Sequence, residues 1–253
     1  MNWQWLVSTH SILIKLIPAR VTNVSRSAVP FNFKVFNSLM VIIAILIFTN
    51  TYGQDSNKQQ QDYLKVIKTR SEKIVDVLSI NDTYKYNTVV NELISQYSSV
   101  NTIHEQNKEA VEKIKQQALS KEETDEAIKK QEAKKNQQLE QQHAKFIAQL
   151  RNNLSDEQVE KVKDGMTYRV FPITYAGYLD MLPSLTTEQK NQVFTWLKEA
   201  RELAMDAESS EKKHAVFGKY KGRINNYLSK AGYDMNKESK AWQERIKERQ
   251  KNK

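Results

Sequence analysis

Three times along this chain a Leu precedes a Ser or Thr that is followed, three positions later, by Glu or Gln: Ser120 and Glu123, Ser155 and Gln158, Thr186 and Gln189. Each pair fits a capping box. The hydroxyl accepts from the third backbone N–H, and the acid or amide side chain reaches back to the first. Around Ser155 the fit goes further. Leu154 and Val159 occupy the two positions of a hydrophobic staple, and Asp156 and Glu157 put negative charge at the positive end of the helix dipole. "LTTEQKNQV" repeats the phrase at Leu185, but Lys190 stands where the staple needs an apolar residue. Such strong helix starts leave little room for another architecture when breakers are rare. The 253 residues include only 6 Gly and 4 Pro, and no stretch alternates apolar and polar residues between turn signals. The expectation is an all-α, multi-helix fold.

The helices can be followed by their stripes. Tyr63, Val66, Ile67, Ile74, Val77 and Leu78 mark a first helix over about 59–78. "SIND" interrupts it, with Asn81 as the next N-cap. A second helix carries Val89, Val90, Leu93, Ile94, Tyr97, Val100 and Ile103 and extends through Val111 and Ile114. From Lys121 to Gln142 apolar residues thin to Ala127, Ile128, Ala133 and Leu139, which reads as a solvated helix or a mobile arm. A long helical hairpin followed by a compact C-terminal helical half, about seven helices in all, is the expected architecture.

The N-terminus reads differently. Residues 1–53 contain four basic residues, Lys15, Arg20, Arg26 and Lys34, and no acid. Subtracting them from the 39 basic residues leaves 35 against 30 acids, so the net charge falls from +9 to +5. Lys34, the apolar run Leu39 to Phe48, and Thr51 and Gly53 ahead of Gln54 make a secretory signal, with cleavage expected after Gly53. The run covers about half of the roughly 20 residues a membrane span needs, so no stable span is expected after cleavage. Residues 1–33 fit no signal and read as an upstream extension. The divisions expected are therefore 1–53 as extension and signal, 54–165 as one helical half, and 166–253 as another, the last two in one continuous domain. The expected location is the periplasm or the exterior. The absence of Cys excludes disulfides, thiol catalysis and a lipid-bearing N-terminal Cys.

Two resemblances follow. "LSINDTYKYNTVVNELISQY", a polar helix and "QQHAKFIAQLRNNLSDEQVEKV" resemble, over about residues 74–165, the Spy/CpxP group of periplasmic helical proteins, with its two Leu-Thr-x-x-Gln phrases. Leu154, Ser155 and Gln158 match the second phrase, whereas Ile80 to Tyr84 lack the Thr and Gln of the first. That resemblance implies curved homodimers acting as chaperones on unfolded clients or as stress sensors. "VEKVKDGMTY", "YLDMLPSLTTEQ", "WLKEARELAMDA" and "KHAVFGKYKGRINNYL" resemble a secreted bacterial family catalogued as domain of unknown function 3826. It implies an exported helical protein, often encoded near polysaccharide-degradation genes, and brings no activity and no site residues.

Chemistry has few footholds. The four His residues form no metal-binding spacing, no phosphate loop or nucleophile elbow occurs, and no cofactor or metal is expected. Phe171, Tyr175, Tyr178 and Leu182 share one helix face, read as core before ligand shelf. Lys198 and Glu202, four apart, read as a surface pair. The densest segment is "SSEKKHAVFGKYKGRINNYL". It places Lys212, Lys213, His214, Lys219, Lys221 and Arg223 among Phe217, Tyr220 and Tyr227, with Gly218 and Gly222 leaving the backbone approachable. Basic groups hold anions and aromatic faces stack on flat ligands. For an exported protein the ligand expected is an acidic polysaccharide rather than nucleic acid. The alternative is a lysine-rich solvated helix with its aromatics in the core. The candidate ligand-binding residues are therefore His214, Lys219, Tyr220, Lys221, Arg223 and Tyr227, with Tyr175 and Tyr178. Three functions fit: a non-enzymatic binding or chaperone-like protein, a glycan-associated accessory protein, and an enzyme whose catalytic residues no motif reveals.

Overall fold

The computed structural model describes residues 58–251, so the signal segment and residues 1–33 lie outside the described residues. Among those described, every regular element is helical. The order is α1 over residues 58–76, α2 Thr83–Lys115, α3 Lys121–Asn153, α4 Asp156–Met166, α5 Val170–Met181, α6 Thr187–Met205, α7 Ser210–Lys230 and α8 Met235–Lys251. That is eight where about seven were expected; the added one is α8, a polar helix with no fully buried residue.

All three capping boxes form. Ser120, Ser155 and Thr186 each accept from the third N–H of their helix, and Glu123, Gln158 and Gln189 each return the bond. The two glutamines also reach elsewhere. Gln158 Nε2 donates to the Leu78 carbonyl at 2.9 Å, tying the end of the first helical segment to the start of α4. Gln189 Oε1 accepts from the Tyr233 hydroxyl at 3.0 Å. Helix α2 is capped one residue later than expected: Asp82, not Asn81, accepts from the Lys85 N–H. The polar stretch 121–142 is helix throughout, part of a 33-residue α3 that pairs with the equally long α2. Each is about 50 Å long.

Burial is confined to one end of that hairpin. In α2 the buried residues stop at Val100, and in α3 they start at Phe146. There they join Ile67, Ile74, Val75, Leu78, Leu154, Val159, Val162 and Met166 in a first core. Leu93 and Leu150 are wholly buried, and each such side chain contributes about 1.5–3 kcal/mol. The second core joins α5, α6 and α7 through Phe171, Tyr178, Leu182, Leu197, Phe217, Ile224 and Leu228. Met205, at the end of α6, belongs to the first core and links the two. The α1 stripe is narrower than its sequence suggested. Val66 is 56% and Val77 64% exposed, on a different face from Ile67 and Ile74.

Between α4 and α5 the backbone turns through two consecutive left-handed residues, Tyr168 (φ 57°) and Arg169 (φ 56°). This conformation costs an L-residue about 1–2 kcal/mol. The Asp164 carbonyl holds the corner, accepting from Arg169 N–H at 2.7 Å. No helix among the described residues is long and apolar enough to cross a membrane.

Candidate functional site

A cavity of about 1090 Å³ opens between α1 and the α4–α5 corner. Helix α1 supplies Lys65, Val66, Thr69, Arg70, Lys73, Ile74 and Val77 to its lining. The corner supplies Lys161, Asp164, Gly165, Tyr168, Arg169 and Pro172. Val66, Arg70, Lys73 and Val77 recur at spacings of four, three and four, so α1 presents both aliphatic and cationic side chains along one face. Gly165 lets the two elements approach: a Cβ there would stand 2.9 Å from Ile74 Cγ1.

The charge balance of the cavity is one-sided. Lys161 pairs with Glu157 at 2.8 Å, but Lys65, Arg70, Lys73 and Arg169 have no carboxylate partner among the described residues. Arg70 is half-buried and held by aromatic faces. Its guanidinium carbon lies 5.6 Å from the centre of the Tyr97 ring and 5.8 Å from that of Tyr168. Tyr97 is buried, and its hydroxyl lacks a hydrogen-bond partner. Burial pushes that phenol's pKa up, against the opposing charge of Arg70. On the other side Tyr168 stacks on His214, centroids 5.6 Å apart and rings 10° from parallel.

The only acid in the lining is neutralised from within. Asp164 Oδ1 accepts from Arg201 Nη1 at 2.7 Å, and Arg201 is completely buried. Arg201 also binds Glu160 at 2.6 Å and Glu202 at 2.9 Å, with Phe171 against its guanidinium at 5.1 Å. The network continues through Lys163 to Glu202 at 3.0 Å, His143 to Glu202 at 3.3 Å and His143 to Asp206 at 2.8 Å. It thus ties α3, α4 and α6 together where the two cores meet. Burial would raise the Glu202 carboxyl, but hydrogen bonds from His143, Lys163 and Arg201 overrule it and hold it at about 2. Asp206 and Glu202 raise His143 to about 9 against its own burial. The expected surface pair of Lys198 with Glu202 is replaced: Glu202 turns inward, where buried cations need a counter-charge more than an exposed Lys does. Lys213, buried beside this network, donates to the carbonyls of Ala204 and Met205 at 2.8 and 2.9 Å. Burial draws its pKa down to about 8, and the charge of Arg70 acts in the same direction.

The basic-aromatic segment falls on α7 and is split by the helix period. Phe217 and Tyr220 are buried in the second core, whereas Lys219 and Lys221 point to solvent. Tyr178 is also core, its hydroxyl donating to Asn225 Oδ1 at 2.7 Å. Tyr175, half-buried, packs against Phe171 and Phe194. Arg223 lies on the Trp196 ring at 4.3 Å, with Tyr227 edge-on to the same ring at 5.3 Å. Of the eight candidates, Arg223 and Tyr227 meet at Trp196, and His214 alone reaches the cavity rim, through Tyr168. The cavity's own cations were not singled out from sequence. The available signal was the Val66–Arg70–Lys73–Val77 face together with "KDGMTYR".

The fold and site define an all-α helical protein with a cationic cavity between its first helix and the corner of its fourth and fifth. Residues 64–248 match the family described as Protein of unknown function (DUF3826), and the chain belongs to that family. No curated protein matches it.

Proposed function

We infer that this is an exported, non-enzymatic binding protein whose cavity between α1 and the α4–α5 corner takes an anionic ligand. One observation carries the reading: four cations without carboxylate partners among the described residues surround a cavity whose single acid is already satisfied by buried Arg201. Such a site concentrates an anion at little cost, since no internal ion pair must break first. The nearby carboxylates do not compete for these cations: Glu160 and Glu202 stay charged and are paired with buried Arg201. Export follows from the signal segment, and intact mass of the secreted chain should show a start at Gln54.

The test is calorimetric titration of the full chain with inorganic pyrophosphate and with oligogalacturonate. Saturable binding of either anion is expected, weakening as salt rises and disappearing in the double variant Arg70→Gln, Arg169→Gln. If neither anion binds, and an alkyl carboxylate does not bind either, the reading fails. A second reading, acidic glycan held on α7, is favoured by Arg223 and Tyr227 around Trp196. It predicts oligogalacturonate binding that survives the double variant but is lost when Lys219, Lys221 and Arg223 become Gln. A chaperone-like role predicts suppression of client aggregation by the parent.

A further inference from the structure

We propose that the cavity's ligand is a single-chain anionic amphiphile: an acidic headgroup among Arg70, Lys73 and Arg169, and an alkyl chain against the aliphatic wall. The proposal rests on the anion-binding reading and names the ligand class.

The lining decides between ligand chemistries. A sugar presents many hydroxyls, and each one buried needs an acceptor for its proton, which Lys and Arg side chains cannot supply. Only Thr69 and Tyr168 bring a side-chain hydroxyl to this cavity, it has no Asn, Gln, Ser or His, and Asp164 is engaged by Arg201. The remaining uncharged wall is aliphatic: Val66, Ile74, Val77 and Pro172. Val66 and Val77 stand largely in water at 56% and 64% exposure, and Ile173, next to Pro172, is 64% exposed. Branched side chains left in water beside unpaired cations match a ligand with one apolar and one acidic part. Charge complementarity puts the acid at the cations. Arg70 is braced for this by the Tyr97 and Tyr168 rings, which fix its guanidinium without neutralising it. The left-handed corner at Tyr168 and Arg169 carries two of the lining residues, and strained backbone of this kind collects at ligand sites.

The experiment titrates the full chain with dodecanoate below its micellar concentration, beside octanoate, dodecanol, oligogalacturonate and phosphatidylglycerol vesicles. Each methylene fully buried strengthens binding roughly fourfold, so dodecanoate should bind at least about tenfold more tightly than octanoate. The double variant Arg70→Gln, Arg169→Gln and the single variant Val77→Asp should each weaken dodecanoate about tenfold or more. Circular dichroism checks their folding, and Lys73→Gln, at an exposed position, serves if Arg70→Gln does not fold. Dodecanol binding as tightly as dodecanoate would overturn the proposal, as would dodecanoate binding that all of these variants retain. Binding of vesicles without monomeric dodecanoate overturns it in favour of a membrane surface. If oligogalacturonate binds in an Arg70-dependent way and dodecanoate does not, the amphiphile is wrong and the anion site stands. If dodecanoate, pyrophosphate and oligogalacturonate all fail, both fall.

Discussion

Arg201 and Asp164 lie 2.7 Å apart across the α6–α4 contact, with Asp164 lining the cavity and Arg201 fully buried behind it. The pair joins stability to ligand charge. Arg201→Met would leave Glu160, Asp164 and Glu202 without their shared cation. Breaking a buried ion network from one side costs about 3–5 kcal/mol, and denaturant unfolding should show it. Arg201→Lys should recover only part, because one ammonium cannot reproduce a planar fork that meets three carboxylates. A midpoint unchanged in Arg201→Met would show that the network contributes nothing.

The capping box at α4 is a second lever. Ser155→Ala should cost about 1 kcal/mol. Gln158→Ala should cost more, by about 0.5–1.5 kcal/mol, because it also releases the Leu78 carbonyl. Denaturant midpoints of the two variants in the reverse order would separate Gln158 from that tertiary role.

His143 supplies a pH dependence of definite sign. It titrates at about 9 folded, against an ordinary 6.5, because Asp206 and Glu202 accept its hydrogen bonds. The folded state therefore keeps a proton that the unfolded chain releases. That stabilisation is complete below about pH 6.5 and is lost as pH rises through 9, a change of ~2–3 kcal/mol. The unfolding free energy of the parent minus that of His143→Gln should shrink between pH 6 and 9.5. The comparison needs the variant, since Lys213, drawn down to about 8 by burial, changes stability in the opposite direction over the higher part of that range. A difference constant with pH would remove His143 from the account.

Three glycines separate open space from close packing. Gly218 and Gly222 lie inside α7, and a methyl group added at either would meet nothing within 4 Å. Ala at either should therefore stabilise by about 0.5–1 kcal/mol. Gly165→Ala should destabilise despite its helical site. Its methyl meets the branched Ile74 at 2.9–3.0 Å, and the stiff β-branched side chain has little freedom to yield. Thermal midpoints measure all three; stabilisation by Gly165→Ala would show that Ile74 repacks freely.

Helix α8 has no fully buried residue, and Asp180 is the acid that pairs with its side chains. Asp180 accepts from Trp242 Nε1 at 2.6 Å and from Arg249 at 2.9 Å, while Arg245 donates to the carbonyls of Asp180 and Met181 at 3.1 Å each. Asp180→Asn should speed hydrogen exchange across residues 235–251 and leave the thermal midpoint close to that of the parent. Exchange at the parent's rate would show that Asp180 does not hold the helix.

The helical class, the family resemblance and the three capping boxes could be read before any contact was known. The class and the boxes depend on neighbours three or four residues apart, and the local chain carries that information in full. The α7 segment shows where such reading stops: its bases and aromatics look like one site in the linear string, yet the helix turns Phe217 and Tyr220 inward and Lys219 and Lys221 outward. The tertiary structure alone decided that Arg201 would neutralise Asp164, 37 positions away. It also decided that Arg70, far before Tyr168 in the chain, would share a cavity with it. Whether a charge is paired or free depends on which distant helix packs beside it, and packing is settled by the cores rather than by the spacing of the charges themselves.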